Sequence, residues 1–93
     1  MKEILMFYLQ DCGYCAKAFR AMDELKKENP SYSRIPFRKI EESRQPDIAD
    51  QYDYTATPTF YVDGKKVFEA HIGMSYDEIK EEVRRVFETA AEH

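Results

Sequence analysis

Two cysteines, Cys12 and Cys15, lie three residues apart in the stretch LQDCGYCAKAF, with Gly13 and Tyr14 between them. Thiols at this spacing can be half of a zinc site, close a structural disulfide, or form a couple that cycles between dithiol and disulfide. A zinc site wants four ligands, and the only nitrogen candidates of the usual kind are His71 and His93. A disulfide across so short a loop would constrain the unfolded chain very little. The redox couple has the most support, and it makes a structural demand. One thiol must be ionised near neutral pH, and a second must sit within bonding reach.

The elements around the pair meet that demand. Ile4 to Leu9 is an unbroken apolar run, which reads as a strand buried on both faces. From Cys15 to Glu28 the pattern turns helical, with Phe19, Met22 and Leu25 on one stripe, ended by Asn29-Pro30. Cys12 therefore stands where a strand has ended and a helix begins. The unpaired N–H groups and positive dipole of that first turn favour an anion and depress a thiol pKa there. Helical spacing puts Cys15 on the same face, deeper in the turn. Asp11 beside Cys12 has two readings, a carboxylate that raises the thiol pKa or a stabilising helix cap.

Further along, Ile35 to Glu41 reads as a second strand, and Pro46 as the first residue of a short helix running Asp47 to Tyr52. In YTATPTFYVDGKKVFEA, Thr59 to Val62 is strand, Asp63-Gly64 a hairpin turn, and Lys66 to Ala70 the returning strand. Ser75 and Glu78 form a capping box before a helix with Ile79, Val83, Val86, Phe87 and Ala90 on one stripe. The order is β-α-β-α-β-β-α. Pro58 begins a strand. A cis Thr57-Pro58 bond would turn the Thr57 backbone outward toward an extended substrate, and a trans proline would merely start the strand.

Composition narrows the class. At 93 residues, 43% hydrophobic and 34% charged, the chain suits one domain over residues 1–93. Its net charge of −4 and lack of a basic block argue against nucleic acid. No apolar run is long enough to span a membrane and no signal-peptide pattern is seen, so the expected location is cytoplasmic.

The residues DCGYC, TATPTF, the DGKK hairpin and HIGMSYDEI leading into the last helix resemble the thioredoxin superfamily, and glutaredoxins most closely. The likeness covers nearly the whole chain. It implies an α/β thioredoxin-like fold, with a four-stranded mixed sheet and helices on both faces. It also implies that Cys12 is the nucleophile, Cys15 the resolving thiol and Pro58 a cis-proline facing them beside Thr57. Tyr14 matches the tyrosine of the glutaredoxin CPYC motif. Gly73 and Asp77 match a glycine and an aspartate of the glutathione site, so Tyr14, Thr57, Pro58, Gly73 and Asp77 are the expected substrate contacts.

The chain also departs from both groups. Leu9 stands where glutaredoxins carry a cation, Gly13 where they carry proline, and Met74 where they carry a second glycine. A side chain at Met74 is expected to crowd the glutathione groove. Met6 replaces the buried aspartate of thioredoxins, and Asp11 the tryptophan before the first cysteine.

The expected activity is dithiol–disulfide exchange on disulfide-containing proteins or glutathione mixed disulfides. Reset would come from glutathione as co-substrate or from a flavoprotein reductase, with no bound cofactor or metal and a monomeric protein. Two other readings are a thioredoxin-like reductant that does not use glutathione, and a non-catalytic metal-binding module. His71 reads as structural or exposed, or more sharply as a proton acceptor for the thiols.

Overall fold

In the computed structural model, residues 1–92 are described. His93, the second histidine weighed as a zinc ligand, lies outside them. The elements are β1 (Ile4–Tyr8), α1 (Gly13–Glu28), a short 3-10 turn (Pro30–Arg34), β2 (Phe37–Glu41), α2 (Pro46–Ala49), β3 (Thr59–Val62), β4 (Lys65–Glu69) and α3 (Tyr76–Ala91).

The four strands form one mixed sheet in the order β2-β1-β3-β4, with β1 parallel to β2 and antiparallel to β3. Because β1 is central, its residues bury alternately on two faces. Ile4 and Met6 join Phe60, Val62, Leu25, Ile79, Val83 and Phe87 in the larger core, under α1 and α3. Leu5 and Phe7 join Ile40, Tyr61 and Ala49 on the other face, where Tyr52 and Tyr54 also pack. At about 25 cal/mol per Å² of apolar surface removed from water, these two layers supply the main drive to fold. No helix is long and apolar enough to cross a membrane.

Local chemistry explains most boundaries. Asp63 and Gly64 take φ values of 53° and 81°, the left-handed pair that a tight hairpin needs. The Ser75 Oγ accepts the Glu78 N–H, and the Glu78 carboxylate accepts the Ser75 N–H. All five stripe residues of α3 are buried.

The structure corrects several expected ends. β1 stops at Tyr8, and Leu9 opens the turn. β2 starts at Phe37, since Pro36 has no N–H to give a ladder, although its carbonyl accepts the Ile4 N–H. The polar loop after α1 is a 3-10 turn, whose first N–H, at Ser31, is capped by Asn29 Oδ1. α2 spans only Pro46–Ala49, and β4 sits one residue earlier than expected. β2 and β4 are the sheet edges, and each exposes two adjacent cations, Arg38 and Lys39 on one and Lys65 and Lys66 on the other.

Candidate active site

The site forms where β1 ends and α1 begins. α1 starts at Gly13, two residues before the sequence-based boundary, because Cys12 is itself its N-cap. Cys12 has extended backbone (φ −106°, ψ 117°), and its Sγ accepts the Cys15 N–H at 3.2 Å. A thiolate there satisfies one of the orphan donors of the first turn. Asp11, weighed as a cap, is exposed and does not fill that role.

Thr57 faces Cys12 across 45 residues of chain. The Thr57 Oγ1 donates to the Cys12 Sγ at 3.5 Å, and the Cys12 Sγ, when protonated, donates to the Thr57 carbonyl oxygen, also at 3.5 Å. The Thr57-Pro58 bond is cis, and Pro58 is buried beneath the rim.

The two thiols are opposites electrostatically. Burial works against the Cys12 thiolate. Hydrogen bonds with the Cys15 and Thr57 side chains, and from the Cys15 and Tyr14 backbone, outweigh it and hold the thiol below its ordinary value. Cys15 is 1% exposed. Burial pushes it up, and its hydrogen bond with Cys12 and the Cys12 charge take it to about 12.

The loop carrying Thr57 is braced by Glu69, which the sequence reading missed. The Glu69 Oε2 accepts the N–H groups of Thr55 and Ala56 at 2.8 and 2.9 Å and the Thr55 Oγ1 at 3.0 Å. Its Oε1 pairs with Lys66 at 2.9 Å. Burial opposes the Glu69 charge, but the Lys66 bond and these donors win and bring it down to about 2. Only the β3–β4 register, which sets Thr59 opposite Glu69, reveals the partnership.

The remaining expected contacts separate. Tyr14 and Gly73 meet each other, the Gly73 N–H donating to the Tyr14 Oη at 2.7 Å. Asp77 instead lines a cleft of about 660 Å³ between β4 and α3, together with Val67 and His71. No hydrogen bond among the described residues joins Asp77 to the thiol loop. Met74 lines that cleft too; it is 6% exposed and packs mostly into the larger core. Left on the rim is Ile72, 93% exposed, an apolar residue that sequence reading passed over. His71 is exposed, its Nδ1 3.2 Å from the Ile72 carbonyl.

Leu9 and Cys15 line a second cleft of about 420 Å³, and the cations there are Lys39 and Arg44, from β2 and the turn after it. Among the described residues, no group of three or more Cys, His, Asp or Glu side chains gathers in a metal-binding arrangement.

Comparison with known proteins agrees with this geometry. A family model described as Thioredoxin matches residues 2–85. No curated protein sequence matches the chain significantly. Among solved structures, a Fasciola hepatica thioredoxin is 28% identical, covering 91% of this chain and 80% of its own, with TM-score 0.58. Mitochondrial thioredoxin 3 from Saccharomyces cerevisiae is 27% identical, covering 90% and 77%, with TM-score 0.61. A malarial protein at 17% identity shares the fold, covering 92% and 97%, with TM-score 0.62.

Proposed function

The chain belongs to the thioredoxin family, and from that premise we propose that it reduces protein disulfides by dithiol exchange through Cys12 and Cys15. The observation that carries this reading is the opposed state of the two thiols. One caps a helix with its pKa held down, and the other lies buried beside it with its pKa held up.

The Cys12 thiolate attacks one sulfur of the substrate disulfide. A mixed disulfide forms, the substrate S–S bond breaks, and the other substrate sulfur leaves as a thiolate that takes up a proton. Cys15 then loses its proton and attacks the Cys12 Sγ, releasing the second substrate thiol and closing the Cys12–Cys15 disulfide. Two electrons pass to the substrate, and a donor must return two to the protein. Thr57, with Pro58 beneath it, lies where the main chain of an extended substrate would run past Cys12.

Glutathione and a flavoprotein reductase both fit as donor, the first as a glutaredoxin-type cycle. The flavoprotein reading is favoured by Leu9, which offers no charge to a glutathione carboxylate, and by the engagement of the Gly73 N–H with Tyr14. The proximity of Lys39 and Arg44 to Leu9 supports the glutathione reading.

The test pairs two assays of insulin reduction, one driven by glutathione with glutathione reductase and one by thioredoxin reductase with NADPH. Turnover with the flavoprotein and little with glutathione is expected. No turnover with either donor, together with tight stoichiometric zinc binding, would sink the oxidoreductase reading in favour of a metal-binding module.

A further inference from the structure

Tyr14 stands between the two cysteines in the first turn of α1, so the helix fixes where its ring goes. Its Oη accepts the backbone N–H of Gly73, in the loop between β4 and α3, at 2.7 Å. The contact joins residues 59 apart in sequence and bridges the thiol turn to the opposite rim. Lys17, three residues on along the helix, places its Nζ 5.4 Å from the centre of the Tyr14 ring and covers it further.

Gly73 is otherwise open. It is exposed, has φ of 96°, and nothing lies within 4 Å of where a Cβ would stand. A substrate can therefore reach this residue, but its donor is already taken. Next to it Ile72 offers a bare apolar side chain, 93% exposed. The rim next to the thiol turn thus presents an aromatic ring and an isoleucine where a free backbone donor would otherwise be.

We propose that the Tyr14 hydroxyl sets specificity: by occupying the Gly73 N–H it denies that donor to the carboxylate or main-chain carbonyl of a small polar disulfide, leaving the rim to substrates that dock through apolar surface. The inference rests on the oxidoreductase reading and names the substrate class it favours. A small disulfide such as glutathione disulfide has few groups with which to bind, so one withheld donor costs it a large share of its affinity. A folded protein substrate spreads its contacts and loses little. One N–H···O bond corresponds to roughly two- to twelvefold in affinity.

The test is Tyr14→Phe, which keeps the ring and removes the hydroxyl. Binding of S-methylglutathione, a thioether that cannot exchange, is followed by amide chemical shifts of the reduced protein. The variant should bind it about three- to tenfold more tightly than wild type, with the Gly73 amide among the resonances that move most. KM for glutathione disulfide should fall by a similar factor, while KM for insulin should not fall. Unchanged or weaker thioether binding, a Gly73 amide that stays still, or an equal fall in KM for insulin would overturn the proposal. The titration needs no turnover, so an inactive protein would strike the oxidoreductase reading and leave this test standing.

Discussion

Cys12 is partly open at the cap of α1, with three kinds of donor turned on its sulfur, while Cys15, one helical turn on, is 1% exposed beneath it. Both feel the positive end of the same helix. Its dipole alone therefore does not decide which thiol ionises. What differs is burial, and who holds the hydrogen bonds. A Cys15 pKa of about 12 against an ordinary value of 9.0 disfavours its lone thiolate by several kcal/mol. Part of that rise comes from Cys12 itself, through its hydrogen bond and charge. When Cys12 enters a mixed disulfide its charge is gone, and the barrier to ionising Cys15 drops. The second thiol is thus held back until the first has reacted.

The largest test of this asymmetry removes each sulfur in turn. Cys12→Ser should bring insulin reduction down to the uncatalysed rate, whereas Cys15→Ser should still attack and then stall. Mass spectrometry of the second variant should show a covalent adduct with a substrate thiol. An adduct on Cys12→Ser instead would reverse the two roles.

Next in size is the pH dependence of alkylation by iodoacetamide. As pH rises, one thiol should become reactive through a step below 9.0 and then level off, because its folded pKa is lowered. The other should stay protected well above 9.0 for as long as Cys12 is unmodified, its own pKa being pushed up to about 12. Two equal steps near 9.0 would erase the comparison.

A third test loosens what faces Cys12. Glu69 has its pKa depressed to about 2, so its contribution to stability is full above the ordinary carboxylate value of 4.5 and is lost as pH falls from there toward 2. Allowing for its partial exposure, Glu69→Gln should cost about 2 kcal/mol at pH 7 and flatten that acid step in urea melts. An unchanged melting profile would mean that the Thr55–Ala56 turn holds itself.

Thr57→Val is the smallest change, since it removes one O–H donor from the Cys12 Sγ and leaves the backbone carbonyl. The alkylation step of Cys12 should move up in pH, because a donor that favours the thiolate is gone. No movement would assign the lowered value to the Cys15 thiol and the backbone N–H groups of Cys15 and Tyr14.

The sequence made the strand order and the thiol pair readable because those signals are local. Asp63-Gly64, the Ser75–Glu78 box and the stripe from Ile79 to Ala90 each encode their geometry within a few residues. Cys12 as a cap was harder to see, since a thiol is outside the usual capping set of Ser, Thr, Asp and Asn. The Glu69 brace was hidden because it depends on strand register, which no short window contains. The depth of Met74 was hidden for a similar reason: only the path of the chain after Gly73, with its φ of 96°, packs that residue into the core. Tyr14 and Gly73 are both expected substrate contacts, but nothing local says that they would hold each other.

The two edges of the sheet bear on how the molecule behaves in a crowd. An unpaired edge strand invites another chain to add itself, the first step toward aggregation. Here β2 exposes Arg38 and Lys39, and β4 exposes Lys65 and Lys66. Registers that set these cations opposite one another are disfavoured by like-charge repulsion, so each margin carries its own guard against the addition of a second copy.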